Sequence, residues 1–154
     1  MTKILFVCLG NICRSPMAEF IMKSMIKAEG AENKLEIRSA ATSDEVIGAS
    51  VYPPAKKILS EHGISCAGKT AVQMTNADYE YYDYIIAMEK RNLRDMRCFS
   101  GDDPENKLSL IMDYTNRPGD VKDPWYTRDF ETAFNDISEG CRGIIEFLKE
   151  KGEI

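Results

Sequence analysis

Ile4-Leu5-Phe6-Val7-Cys8 is apolar without interruption, and Ser15-Pro16 follows after a short turn. An apolar run with no polar alternation fits a strand buried on both faces, as in parallel sheets. Ser is a favoured helix cap and Pro is tolerated in the first helical turn, so the chain passes from buried strand to helix. Ala18 stands where a capping box would need Glu or Gln. Met17, Ile21, Met22 and Met25 recur at helical spacing, and Gly30 marks the stop.

The strand–helix unit then repeats. Leu35-Glu36-Ile37-Arg38-Ser39-Ala40 alternates as a second strand. Pro53-Pro54 opens a helix carrying Ala55, Ile58 and Leu59, closed by His62-Gly63. Tyr84-Ile85-Ile86-Ala87 is a third buried strand, residues 92–98 a helix, and Leu108-Ser109-Leu110 a short fourth strand. Residues 113–126, rich in Asp, Asn, Pro and Gly, read as a loop. Phe130, Phe134, Ile137, Cys141, Ile144 and Leu148 form the apolar stripe of a last helix. Gly140 and Gly143 within it cost about 1 kcal/mol each against Ala, unless close packing needs them. This order predicts a single α/β domain over residues 1–154, a four-stranded parallel sheet with helices on both faces.

A chain of 154 residues suits one domain with a real core. The balance of 20 Lys and Arg against 25 Asp and Glu, net −5, argues against nucleic acid or anionic membrane as partner. No apolar run approaches the ~18 residues of a membrane span. The start turns polar too soon for a secretory signal, so the five cysteines read as thiols of a cytoplasmic protein, expected to be a monomer. With one His and scattered carboxylates there is no metal-ligand pattern, and neither metal nor cofactor is expected.

Ligands of such folds bind beyond the carboxyl ends of the strands, which singles out Cys8-Leu9-Gly10-Asn11-Ile12-Cys13-Arg14-Ser15. A strand-to-helix turn of consecutive backbone N–H groups binds anions, phosphate above all. Gly10 permits a tight turn and Asn11 tolerates a left-handed backbone. Arg14 can fork two donors onto phosphate oxygens. A Cys8 thiolate is stabilised there by the helix end and the guanidinium, with the Ser15 hydroxyl able to donate to it. The Gly-Lys-Ser/Thr ending of a nucleotide-binding loop is missing. Expulsion of an alkoxide or phenoxide from phosphate calls for an acid, worth ~10²–10⁴-fold, and the late loop offers Asp113, Asp120 and Asp123.

Cys8 to Ser15, continuing as Pro16-Met17-Ala18-Glu19, resembles the signature loop of the low-molecular-weight protein tyrosine phosphatases. The resemblance runs on through Ser39-Ala40-Ala41-Thr42-Ser43-Asp44, Gly48, His62-Gly63-Ile64, Tyr84-Ile85-Ile86-Ala87-Met88, Asn92-Leu93-Arg94-Asp95-Met96 and Asp123-Pro124-Trp125-Tyr126. It implies the Rossmann-like fold of that family and a phosphatase for phosphotyrosine in proteins or peptides. It further implies Cys8 as nucleophile, phosphate held by Arg14 and the loop from Leu9 to Ser15, and Asp123 as general acid and then base. Leu9, Ile12, Glu45, Trp125 and Tyr126 are the expected walls of the slot. Asn11, Ser15 and Ser39 are expected to support the loop, and His62 to pair with Glu19.

Three positions depart from the family pattern. Glu45 follows Asp44 where an aromatic is frequent, Val72 stands where many bacterial members have Arg, and Glu89 where Asp is usual. A protein-arginine phosphatase on the same scaffold is the alternative, although that branch resembles Thr at the Ile12 slot. An arsenate reductase would need closely paired resolving cysteines, which Cys66 and Cys98 do not form, and a phospho-carrier would lack Asp123.

Overall fold

β1 (Thr2–Cys8) runs through the interior of the sheet, paired in parallel with β2 (Leu35–Ala41) on one side and β3 (Tyr84–Ala87) on the other. The computed structural model describes residues 1–154, and β4 (Leu108–Leu110) completes the parallel order β2-β1-β3-β4. Cys8 lies opposite Ala41, and Val7 opposite Ala87, so three strands end together at one edge.

Successive strand residues face opposite sides, and both sides are covered. Ile4, Phe6, Cys8 and Ile86 join the larger core with α1 (Arg14–Ala28), α2 (Pro53–Glu61) and α7 (Phe130–Glu150). Leu5, Val7, Ile85 and Ala87 join the smaller core with Met74, Tyr79, Tyr82 and Met96. This is the α/β class expected from the alternation of apolar strands and amphipathic helices. No helix is long and apolar enough to cross a membrane.

The glycines of α7 do permit close approach. A Cβ on Gly140 would come within 2.5 Å of Ile111 Cγ1, and one on Gly143 would overlap the Tyr114 carbonyl. The partner surface is a 3₁₀ turn, Ile111–Tyr114, whose last two residues open the segment expected to be loop.

Four local readings change. α3 (Asn76–Tyr81) was not anticipated, although Thr75 and Asp78 form a capping box at its start. The helix expected over 92–98 is two, α4 (Lys90–Asp95) and α5 (Arg97–Ser100). The expected loop ends in a short helix, α6 (Pro124–Thr127), which Asp123 caps. Ser15 does not cap α1: the helix begins at Arg14 with Cys13 at the N-cap and no side-chain cap, and the Ser15 hydroxyl meets Cys8 and Asn11 instead.

Candidate active site

The loop after β1 closes on the Cys8 sulfur. Backbone N–H groups of Asn11 and Ser15 point at Sγ from 3.3 and 3.4 Å, and the Ser15 hydroxyl lies 2.9 Å from it. Asn11 takes the left-handed conformation, φ 58°, while Gly10 keeps an ordinary backbone. Asn11 is locked by its own side chain, which donates to the hydroxyls of Ser15 at 2.8 Å and Ser39 at 3.0 Å and accepts from the Val72 N–H at 3.2 Å. That last contact is to backbone, so it does not depend on which side chain stands at Val72. Asn11, Ser15 and Ser39 are joined in one hydrogen-bonded network beside the Cys8 sulfur.

Behind Ser39 the network differs from expectation. Ser39 Oγ donates to the buried Glu19 carboxylate at 2.5 Å, and Glu19 is also met by Lys23 Nζ at 2.6 Å and Lys69 Nζ at 3.5 Å. His62 is exposed and stacks on Phe134 at 4.1 Å between ring centroids, so it does not pair with Glu19. Lys69 takes the place assigned to His62, and its amine also donates to the Ser39 carbonyl at 2.9 Å. Burial pulls the Lys69 pKa down, with Glu19 opposing the effect. Lys69 carried no readable signal, because a lysine in a polar turn is ordinarily a solvated surface residue.

Arg14 is 1% exposed. One guanidinium nitrogen donates to the Val121 carbonyl at 2.9 Å; the other lies 3.3 Å from both Glu89 Oε1 and Asp123 Oδ2. Burial works against the charge of Arg14, but Cys8, Asp123 and Glu89 outweigh it and raise its pKa. Glu89, marked in the sequence only as a departure, is thus one of two carboxylates that meet the fork.

The three candidate acids separate cleanly. Asp113 accepts from the Leu110 N–H at 2.9 Å and Asp120 from the Lys90 N–H at 3.0 Å, and neither lines the cleft beside Cys8. Asp123 caps α6 through the Trp125 N–H at 3.0 Å and turns its other oxygen to Arg14. Val121 brings this segment to the end of β3 by donating its N–H to the Met88 carbonyl at 2.8 Å.

Together these groups floor a cleft of about 200 Å³. Cys8, Gly10, Cys13, Arg14 and Asp123 line its base, and the expected walls Leu9, Ile12, Glu45, Trp125 and Tyr126 all reach it. Ser43 and Val46 line it as well and had not been singled out; their place just after β2, beside the expected Glu45, was the available signal. Cys13 differs from Cys8 in lying at the α1 N-cap with its thiol pushed up to about 12, by burial first and then by the charges of Cys8 and Asp123. It remains a neutral thiol at ordinary pH.

A family model described as low molecular weight phosphotyrosine protein phosphatase matches residues 3–153. The chain is 35% identical to the low molecular weight protein-tyrosine-phosphatase YfkJ of Bacillus subtilis, with all of both chains covered. Against the crystal structure of YfkJ the TM-score is 0.95, at 36% identity, covering 98% of this chain and 96% of that one. The low molecular weight phosphotyrosine protein phosphatase of Gallus gallus is 37% identical, with 93% of each chain covered. The YwlE arginine phosphatase, solved with a phosphorylated active site serine, matches with a TM-score of 0.85 at 28% identity and 96% of each chain.

Proposed function

The chain belongs to the low-molecular-weight phosphotyrosine protein phosphatase family, and on that premise we propose that it hydrolyses aryl phosphate monoesters, phosphotyrosine in proteins, through a cysteinyl-phosphate intermediate. One observation carries the reading: the Cys8 sulfur, the Arg14 guanidinium and the Asp123 carboxyl converge on one cleft with apolar walls.

Phosphate enters with its oxygens toward the loop N–H groups and the Arg14 fork. The Cys8 thiolate attacks phosphorus as the bond to the phenolic oxygen breaks. Protonated Asp123 gives that oxygen its proton, so a neutral phenol leaves. The Asp123 carboxylate then takes a proton from water as the water oxygen attacks the cysteinyl phosphate. Inorganic phosphate leaves, and the sulfur departs as a thiolate that the Ser15 hydroxyl and two N–H groups stabilise. The phosphate charge is carried by Arg14 and backbone donors, so these steps call for neither metal nor cofactor.

Phosphoarginine is the second candidate substrate, because Ser43 and Glu45 place polar groups on the cleft wall. Against it stand Leu9, Ile12 and Trp125, which suit a ring. A guanidinium left without partners against Ile12 loses about 1–3 kcal/mol, while a ring packed on Trp125 gains about 0.5–1.5 kcal/mol beyond burial. Phosphoserine is too short to bring phosphorus past these walls. Steady-state kinetics on matched peptides without added metal should rank phosphotyrosine above phosphoarginine, with phosphoserine far below. Ile12→Thr should narrow the first gap. A wild-type preference for phosphoarginine overturns the substrate assignment.

A further inference from the structure

We propose that Tyr52 and Arg128 form a clamp that holds the Asp123 turn over the phosphate loop, acting as positioning residues for proton transfer to the leaving group. The proposal rests on the reading of Asp123 as the acid.

Asp123 opens α6, a single turn ending at Thr127, too short to be stable by itself. Its ion pair with Arg14 exists only while Asp123 is ionised, yet the acid must be protonated when substrate is bound, and bound phosphate competes for the same fork. The Val121 contacts with Met88 and Arg14 tie the chain two residues upstream, so at the moment of chemistry the turn that follows Asp123 needs a hold of its own.

Arg128 supplies it from the end of the turn. Its backbone is left-handed, φ 61°, an uncommon state for a non-glycine residue, with its N–H donating to the Pro124 carbonyl at 2.9 Å. This conformation folds the side chain back over the turn. One guanidinium nitrogen donates to the Tyr52 hydroxyl at 3.1 Å and the other to the Trp125 carbonyl at 3.4 Å. The guanidinium carbon lies 5.4 Å from the Tyr52 ring and 5.5 Å from that of Phe130. The Trp125 indole packs on the same Tyr52 ring at 4.7 Å.

Tyr52 is fixed from its other side. Its N–H donates to the Ile12 carbonyl at 2.9 Å, inside the phosphate loop, and Pro53-Pro54 stiffens the chain beyond it. One aromatic side chain thus joins the loop that carries the sulfur to the turn that carries the proton.

The test is a series of aryl phosphates of rising leaving-group pKa, read as kcat/KM, with the inhibition constant of inorganic phosphate as a gauge of the loop. Arg128→Asn removes the guanidinium but keeps a residue that tolerates the left-handed backbone; Tyr52→Ala removes the anchor and Tyr52→Phe only its hydroxyl. Arg128→Asn and Tyr52→Ala should lose about threefold to tenfold on esters with poor leaving groups, and less on activated nitrophenyl esters. Tyr52→Phe should lose less than Tyr52→Ala, and phosphate inhibition should hold. In an Asp123→Asn background the same changes should add nothing. Equal losses across the series, or no loss, while Asp123→Asn itself steepens the leaving-group dependence, overturn the clamp alone. If Asp123→Asn leaves that dependence unaltered, the acid assignment fails and the clamp's role in proton transfer fails with it.

Discussion

Cys8 and Cys13 share one loop, yet only Cys8 receives hydrogen bonds aimed at its sulfur, whereas Cys13 is held as a neutral thiol by burial and by neighbouring negative charge. Cys8→Ser should therefore abolish turnover while the loop still binds vanadate or inorganic phosphate, measurable by competition or calorimetry. Turnover near wild type would remove Cys8 from the mechanism. Arg14 is a fork held through one nitrogen by the Val121 carbonyl and through the other by Glu89, a geometry that a lysine point charge does not reproduce. Arg14→Lys should cost about 10²–10³-fold in kcat/KM, the scale of losing a charge-stabilising donor in an active site. At this scale the loop was legible because its parts are contiguous: strand end, turn, clamp and helix start follow one another. Ser15 was misassigned as a cap because capping propensity is local, whereas its hydroxyl is claimed by Cys8 and Asn11 across the loop.

Among the elements, α7 shows most directly why composition alone misleads. Gly140 and Gly143 weaken it as an isolated helix by about 1 kcal/mol each relative to Ala. In the fold they let the helix backbone lie against Ile111 and Tyr114. Gly143→Ala should thus destabilise the protein by about 1–3 kcal/mol despite its better helix propensity, because the added methyl meets backbone that cannot yield. Urea unfolding would measure it, and a variant as stable as wild type would show that the turn relaxes. The same contact covers the 3₁₀ turn, whose last two residues, Asp113 and Tyr114, open the segment that its Asp, Asn and Gly content marked as loop. α3 was legible in principle, since Thr75 and Asp78 give a capping pattern. It is one short turn with a single buried residue, Tyr79, so hydrophobic periodicity had nothing to register.

For the whole molecule, burial has a consequence for stability in alkali. Cys13 and Tyr82 are each pushed up to about 12, chiefly by burial, and Cys141 is raised by burial as well. The unfolded chain releases these protons from about pH 8.5–10 upward, whereas the folded chain retains them. Their contribution is therefore full below that range and is lost as pH rises toward 12. Denaturant midpoints should fall from neutral pH to about pH 11, and Cys141→Ala should flatten the fall. A slope identical to wild type would exclude Cys141 as a contributor. At this scale the sequence by itself determined the α/β class, because apolar strand runs alternating with amphipathic helices can bury both sheet faces in few other ways. It also singled out the loop after β1 as the candidate phosphate site and narrowed the candidate acid to three aspartates. Only the tertiary structure brought Asp123, Glu89 and Val121 to Arg14, gave Glu19 to Lys69 instead of His62, and brought Arg128 to Tyr52. Those contacts join residues as much as 75, 107 and 76 positions apart in the chain. Local propensity and spacing describe neighbours along the backbone, and such pairings arise only once the parallel strands have carried their ends to one edge of the sheet.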